Sequence, residues 1–283
     1  MSFEITLAVL LAALLHASWN AMIKGGTDVL LDTATLVSFA GLITLPFLLV
    51  VPLPNAASWP YILASLTLHG AYYFLMINAY RTGDLSLVYP LMRGVAPLIT
   101  AVLGIFWLRE LPAPLSWLGM LMISFGVIAL AMRPAGNTPV LAGHGRAVAF
   151  ALANAGVIAC YTIVDGTGAR LAGDPWAYIA WLFVLDAVPF ALYMLATQRR
   201  AFVAALVERR RNGVIGGALS AIAYAISVWA MTKAPVALVA SLRETSVLFA
   251  TLLGAYLLKE KLTPRRWAGV AAVLLGVVAL KVT

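Results

Sequence analysis

Charge is scarce in this chain: Asp, Glu, Lys and Arg together make up 11% of its 283 residues, against about 25% in soluble domains. With 63% hydrophobic residues, that scarcity excludes a soluble globular domain and points to a membrane. Acids are scarcer than bases, 11 against 19, for a formal charge of +8. A surplus of this sign can serve nucleic acid, but these Lys and Arg stand at the ends of apolar runs, so no nucleic-acid partner is expected. The one cysteine, Cys160, rules out an intrachain disulfide and reads as a small core residue of an apolar helix. No G-x-x-x-x-G-K-[ST] occurs, which argues against ATP hydrolysis by this chain, and neither H-E-x-x-H nor G-x-S-x-G marks an intramembrane enzyme. No catalytic residue, metal site or cofactor is expected. The first apolar run carries Glu4 where a signal peptide carries lysines, and it contains His16 and Asn20, so it reads as a mature span.

What is present in quantity is long apolar runs. Windows of about 20 such residues, bounded by charge, Pro or Gly, predict ten spans. They cover 4–23, 33–52, 59–80, 85–108 and 114–132, then 145–165, 175–196, 213–232, 236–258 and 264–281. Between the fifth and sixth, Arg133–Pro134–Ala135–Gly136–Asn137–Thr138–Pro139 cannot continue a helix cheaply, so 133–144 reads as a linker between halves 1–132 and 145–283. Only the loop with Gln198–Arg199–Arg200 and Glu208–Arg209–Arg210–Arg211 is long and charged.

The halves repeat each other. At an offset of 150, Thr82 meets Thr232, Arg93 meets Arg243, Gly104 meets Gly254 and Glu110 meets Glu260. Pro114, Trp117, Gly119 and Gly126 then meet Pro264, Trp267, Gly269 and Gly276. An odd number of spans per half brings the second copy in from the opposite side, so the expected fold is an all-α polytopic membrane protein of ten helices in two inverted five-helix repeats. Loops after the odd-numbered spans hold most of the Lys and Arg, from Lys24 and Arg81 to Arg265 and Arg266; the others hold Arg109, Arg170, Lys233 and Lys281. This predicts both termini outside the cytoplasm.

Leu108–Arg109–Glu110–Leu111–Pro112–Ala113–Pro114 and Leu258–Lys259–Glu260–Lys261–Leu262–Thr263–Pro264 are matching boundary segments, each followed by a Trp and two Gly in the closing span of its half. Together with Trp19–Asn20 and Lys24 in the first span, they make the chain resemble the drug/metabolite transporter superfamily, specifically its ten-helix EamA-type exporters. The resemblance covers essentially the whole chain and implies alternating-access transport of small metabolites in the cell inner membrane, often amino-acid export in bacteria. The short four-helix multidrug relatives carry a glutamate within their first helix; here that depth holds only His16 and Asn20, which speaks against their proton-coupled export of lipophilic cations. The expected partners are a small-molecule substrate and the lipid bilayer, and the expected state is a monomer or weak dimer.

Several polar groups fall at membrane depth, where an arginine costs at least about 2.5 kcal/mol and so faces protein, water or ligand. Tyr89, Arg93 and Pro97 share a face of the fourth span, and Pro90, Gly94 and Pro97 predict an interruption there. In the ninth span Ser241 and Glu244 share a face, and Arg243 is rotated about 100° from its neighbour, so the two charges are not expected to enter one cavity together. Ion pairing of Arg93 or Arg243 with Glu244, Asp165 or Asp186 is the alternative to substrate contact. His16, Asn20 and Lys24 form one stripe and Asn154, Tyr161 and Asp165 another, each read as a water-facing wall. His69, Tyr73, Met76 and Tyr80, with Tyr72 beside them, and Ser220, Tyr224, Ser227 and Met231 form repeat-related stripes that suggest an aromatic, hydroxyl-lined cavity. The candidate substrate-binding residues are therefore Trp19, Asn20, His69, Tyr73, Tyr89, Arg93, Tyr161, Tyr224, Ser241, Arg243 and Glu244, with His16, Asp165 and Glu244 as candidates for proton or ion coupling. Guanidinium on one side and carboxylate on the other suit a zwitterionic amino acid with an aromatic or otherwise apolar side chain. A multidrug or other-metabolite exporter of the same fold is the second reading, and an intramembrane enzyme the third. Gly119 with Gly126 and Gly269 with Gly276 are expected to bring helices close together, and the resemblance implies scaffold or dimer contacts for these closing helices.

Overall fold

The computed structural model describes residues 1–24, 28–83, 85–131, 145–258 and 263–282. The expected linker at 133–144 and residues 259–262 of the second boundary segment, Glu260 included, lie outside the described residues.

The first half forms α1 (Phe3–Lys24), α2 (Val29–Thr44), α3 (Trp59–Thr82), α4 (Leu85–Trp107) and α5 (Pro114–Ala131), with short 3-10 turns at Leu45–Leu49 and Ala56–Ser58. The second forms α6 (Gly145–Leu171), α7 (Pro175–Thr197), α8 (Arg199–Glu208), α9 (Arg210–Met231), α10 (Val236–Arg243), α11 (Thr245–Leu258) and α12 (Pro264–Val282). Local chemistry starts several of these helices. Asp28 caps α2 by accepting the N–H groups of Leu30 and Leu31 at 3.0 and 3.1 Å, and Asp174 caps α7 with Pro175 in the first turn. Hydroxyls within the apolar helices bond to their own backbone, as Thr100 does to the Ala96 carbonyl at 2.9 Å and Thr162 to that of Ile158 at 2.7 Å.

Among the described residues eight segments are long and apolar enough to cross a membrane, one of them running through α10 into α11. The other two expected spans differ. α5 is a shorter apolar helix, Pro114–Leu130, and α12 carries Arg265, Arg266 and Lys281. Large apolar side chains such as Phe3, Leu7, Phe74, Phe106, Phe125 and Leu192 face outward, as lipid-facing positions of a polytopic protein do. The loop expected between the seventh and eighth spans is instead the helix α8. Its Phe202 and Ala205 are buried, Phe202 in a cluster with Ala34 of α2 and Met194 of α7, while Val203 and Val207 stay exposed.

α5 and α12 pack on each other through the four glycines. A Cβ on Gly119 would stand 2.9 Å from the Gly276 carbonyl oxygen, and one on Gly126 2.9 Å from that of Gly269. As one helix ascends in number the other descends, so the two run antiparallel. Exchanging each glycine for its counterpart 150 residues away turns the first contact into the second. The glycine faces are thus closed against each other within one chain, and a dimer contact through them is not what they make here.

Candidate functional site

The segment from Val236 to Leu258 is interrupted where α10 gives way to α11. α10 ends at Arg243, Glu244 adopts φ −68° and ψ −14° with its N–H turned to the Ser241 carbonyl at 3.1 Å, and α11 restarts at Thr245. The structure overturns the expectation that these neighbouring charges do not enter one cavity together. Both Arg243 and Glu244 line one cavity, which Arg93 and Pro97 of α4 and Tyr161 of α6 also line. α4 itself, where the interruption was expected, runs continuously with Pro90 and Pro97 inside it.

The two arginines have different surroundings. Arg93 Nε stands 2.8 Å from Glu244 Oε2, and both residues are buried, 8% and 4% exposed. The contact lacks hydrogen-bond angles, and Arg93 Nη2 is likewise buried without a hydrogen-bond partner. Buried donors of this kind are uncommon. Arg243, which lies among the four residues after Val239 that close α10, stacks its guanidinium over the Tyr224 ring, 5.1 Å from the centroid. Of the ion pairs left open by the sequence, Arg93 takes Glu244. The cavity between them is small, about 10 Å³, room for roughly one water molecule.

A second polar cluster adjoins it. Asp165 is fully buried and accepts the hydroxyls of Tyr178, at 2.9 Å, and Tyr224. It is therefore enclosed by phenols and does not form a water-facing wall. Asn154 is also fully buried, with its amide on the Met92 sulfur at 2.9 Å, so it joins helices; of that stripe only Tyr161 reaches the cavity. His69 Nδ1 meets Asp186 Oδ1 at 3.1 Å, and its ring stands edge-on to Tyr161 and Tyr224, with centroids 4.9 and 6.3 Å apart. Tyr72 reaches Tyr161 at 6.1 Å, whereas Tyr73 turns to Phe190 at 5.1 Å. The aromatic wall thus consists of Tyr72, Tyr161, Tyr224 and His69, with Tyr73 behind it.

The remaining candidates are placed less centrally. The hydroxyl of Ser241 donates to the Ala237 carbonyl at 2.9 Å and the residue is fully buried, so its own helix takes it up. Asn20 donates to the His16 carbonyl at 2.8 Å, which likewise satisfies it locally. Trp19 packs edge-on against His16 at 4.9 Å. His16 is within electrostatic reach of both Arg93 and Arg243, so this face of α1 looks toward the centre. Tyr89 is half-buried and packs between two apolar clusters. Asp186 and Tyr178 are the partners that sequence reasoning underused. Asp186 had a signal, a carboxylate in mid-span; Tyr178, near the start of α7, had none.

Both halves match the profile of the EamA-like transporter family, over residues 4–132 and 145–281. The chain belongs to that family. It is a family of transporters, not of enzymes. No curated protein matches the chain significantly. Among solved structures, one crystal structure superposes with a TM-score of 0.75 over 100% of this chain and 98% of the other, at 18% identity, which speaks for the fold. Within the two EamA units the four ion pairs seen among the described residues have one property in common. His69–Asp186, Arg93–Glu244, Glu110–Arg170 and Asp32–Arg209 each join the first unit to the second.

Proposed function

We propose that this EamA-family protein is a secondary transporter exporting amino acids, aromatic or otherwise apolar, across the cell inner membrane by alternating access. The observation that carries the reading is the meeting of Arg93 with Arg243, its counterpart in the other unit, and Glu244 at one cavity between the two units, beside Tyr161. A zwitterion suits this site because it can exchange charges with the internal pair: its carboxylate takes the guanidinium of Arg93 in bidentate geometry while its ammonium takes Glu244. The exchange leaves the net buried charge unchanged, so the desolvation penalty that opposes any lone ion in a bilayer is largely avoided. An apolar or aromatic side chain then lies against the rings of Tyr72, Tyr161 and Tyr224. A cavity of about 10 Å³ corresponds to a closed state, and admission of substrate requires the units to separate.

Ten spans in inverted repeats are part of this reading. It is supported by the antiparallel packing of α5 on α12 and by the exchange of their glycine contacts under the 150-residue offset. The distribution of Lys and Arg supports a topology with both termini outside the cytoplasm. His16, Asp165 and Glu244 are the groups proposed to carry a coupling proton, and a monomer or weak dimer is the proposed state. Counterflow in proteoliposomes across a panel of amino acids, with lipophilic cations as competitors, tests the substrate class. Exchange of phenylalanine, leucine or similar solutes is expected; exchange inhibited by lipophilic cations alone would favour a multidrug exporter of the same fold and overturn the reading.

A further inference from the structure

The boundary segment after α4 has no part in the cavity, yet Glu110 within it makes two polar contacts to the second unit. Glu110 Oε2 accepts the N–H of Val236, the first residue of α10, at 2.8 Å, and Oε1 accepts Arg170 Nη2 at 2.7 Å. Arg170, at the end of α6, also donates to the carbonyls of Met231, at 2.9 and 2.7 Å, and Ala234, at 3.1 Å, in the turn that leads into α10. The carboxylate is itself held in place: Glu110 N–H donates to the Gly104 carbonyl at 3.1 Å, and Arg109 before it sits at φ 58°, a conformation uncommon for arginine. The first unit therefore grips α10 at both tips, through Glu110 at Val236 and through Arg93 at Glu244. Seven residues lie between the grips, which are about 12 Å apart along the helix. Val236 through Leu242 are at most 7% exposed, so the helix has no free side along which to bend.

We propose that α10 is a rigid link between the charge pair in the cavity and a clamp, formed by Glu110 and Arg170, that closes the end of the transporter where the loops carry few basic residues. Glu110 and Arg170 are positioning residues in this scheme. A substrate that takes Arg93 from Glu244 releases one tip of α10; the helix tilts as a unit, and the Val236 N–H leaves Glu110 at the other tip. The coupling is reciprocal, so loosening the clamp strengthens substrate binding by the same factor that substrate loosens the clamp. This scheme rests on the reading of Arg93 and Glu244 as the substrate site.

The test reads the far tip without any substrate. In a Cys160→Ser background, which removes the native thiol, exposed on α6 and not in the core as its apolar helix suggested, Ala234→Cys reports clamp opening through its rate of labelling by a membrane-impermeant maleimide in proteoliposomes. Glu244→Gln is expected to speed labelling at least fivefold although it lies at the opposite end of α10. Glu110→Gln is expected to do the same, and the double variant no more than the larger single effect, because both act on one link. Should Glu110→Gln fail to reconstitute, Arg170→Lys, which keeps the charge and loses the fork, takes its place. Labelling unchanged by Glu244→Gln, or two effects that multiply, overturns the link. Absence of amino-acid counterflow in the parent protein, with the labelling pattern intact, would instead count against the substrate reading alone, so the two failures are distinguishable.

Discussion

α4 and the α10–α11 pair occupy the same place in the two units and carry Arg93 and Arg243 at equivalent positions, yet they solve the same problem differently. α4 contains two prolines and stays helical from Leu85 to Trp107. The segment from Val236 to Leu258 contains none and breaks at Glu244. The missing N–H of each proline is accommodated within a continuous α4, whereas the interruption of the second segment falls at Glu244, the buried carboxylate that meets Arg93 of the facing unit. The two arginines are unequal as well, Arg93 ion-paired and Arg243 stacked on a ring.

That contrast can be broken experimentally. The largest effect is expected from Arg93→Ala, which should abolish counterflow, by at least 100-fold, in protein that still elutes as a single species in detergent. Arg243→Ala, whose cation rests on Tyr224, should lose about tenfold, since a cation–π contact is worth roughly 1–2 kcal/mol. Equal losses in the two variants would mean that the repeat symmetry, and not the pairing with Glu244, sets their roles. Next comes Glu244→Ala, which leaves Arg93 buried and unpaired; the cost is about 3–5 kcal/mol, visible as a lowered Tm in detergent. A Tm within a degree of the parent would show that water compensates the arginine. Pro97→Ala should change stability by less than about 1 kcal/mol, because α4 already runs through that position. A marked change in transport without a change in Tm would restore a functional role to the proline. The smallest effect belongs to Ser241→Ala, within about 0.5 kcal/mol and with KM unaltered, since its hydroxyl bonds to Ala237.

Comparison of the expected stripes with the observed packing shows where periodicity stops being informative. A helical face can be read from spacing, so Tyr161 and Asp165 are rightly grouped on α6. Whether that face meets water or tyrosines depends on α7 and α9, which bring Tyr178 and Tyr224 onto the carboxylate. The hydroxyls mislead for a related reason. Ser241 and Ser227 sit on plausible lining faces, but each donates to a carbonyl four residues back, the cheapest partner in an apolar medium. Histidine behaves otherwise: His69 has no local acceptor and reaches across the units to Asp186.

Transfer free energy and repetition are properties of the linear chain. The sequence by itself therefore determined that most of this protein lies in a bilayer, that it is one unit written twice, and that Arg93 and Arg243 are counterparts. Partnership between distant charges depends on which helices face each other across the two units. Only the tertiary structure decided that Arg93 meets Glu244, that the helix is interrupted there between α10 and α11, and that Glu110 reaches the far tip of α10. In a medium without water an ionised side chain must find its counter-charge wherever packing supplies it, and that position is not encoded within a turn of helix.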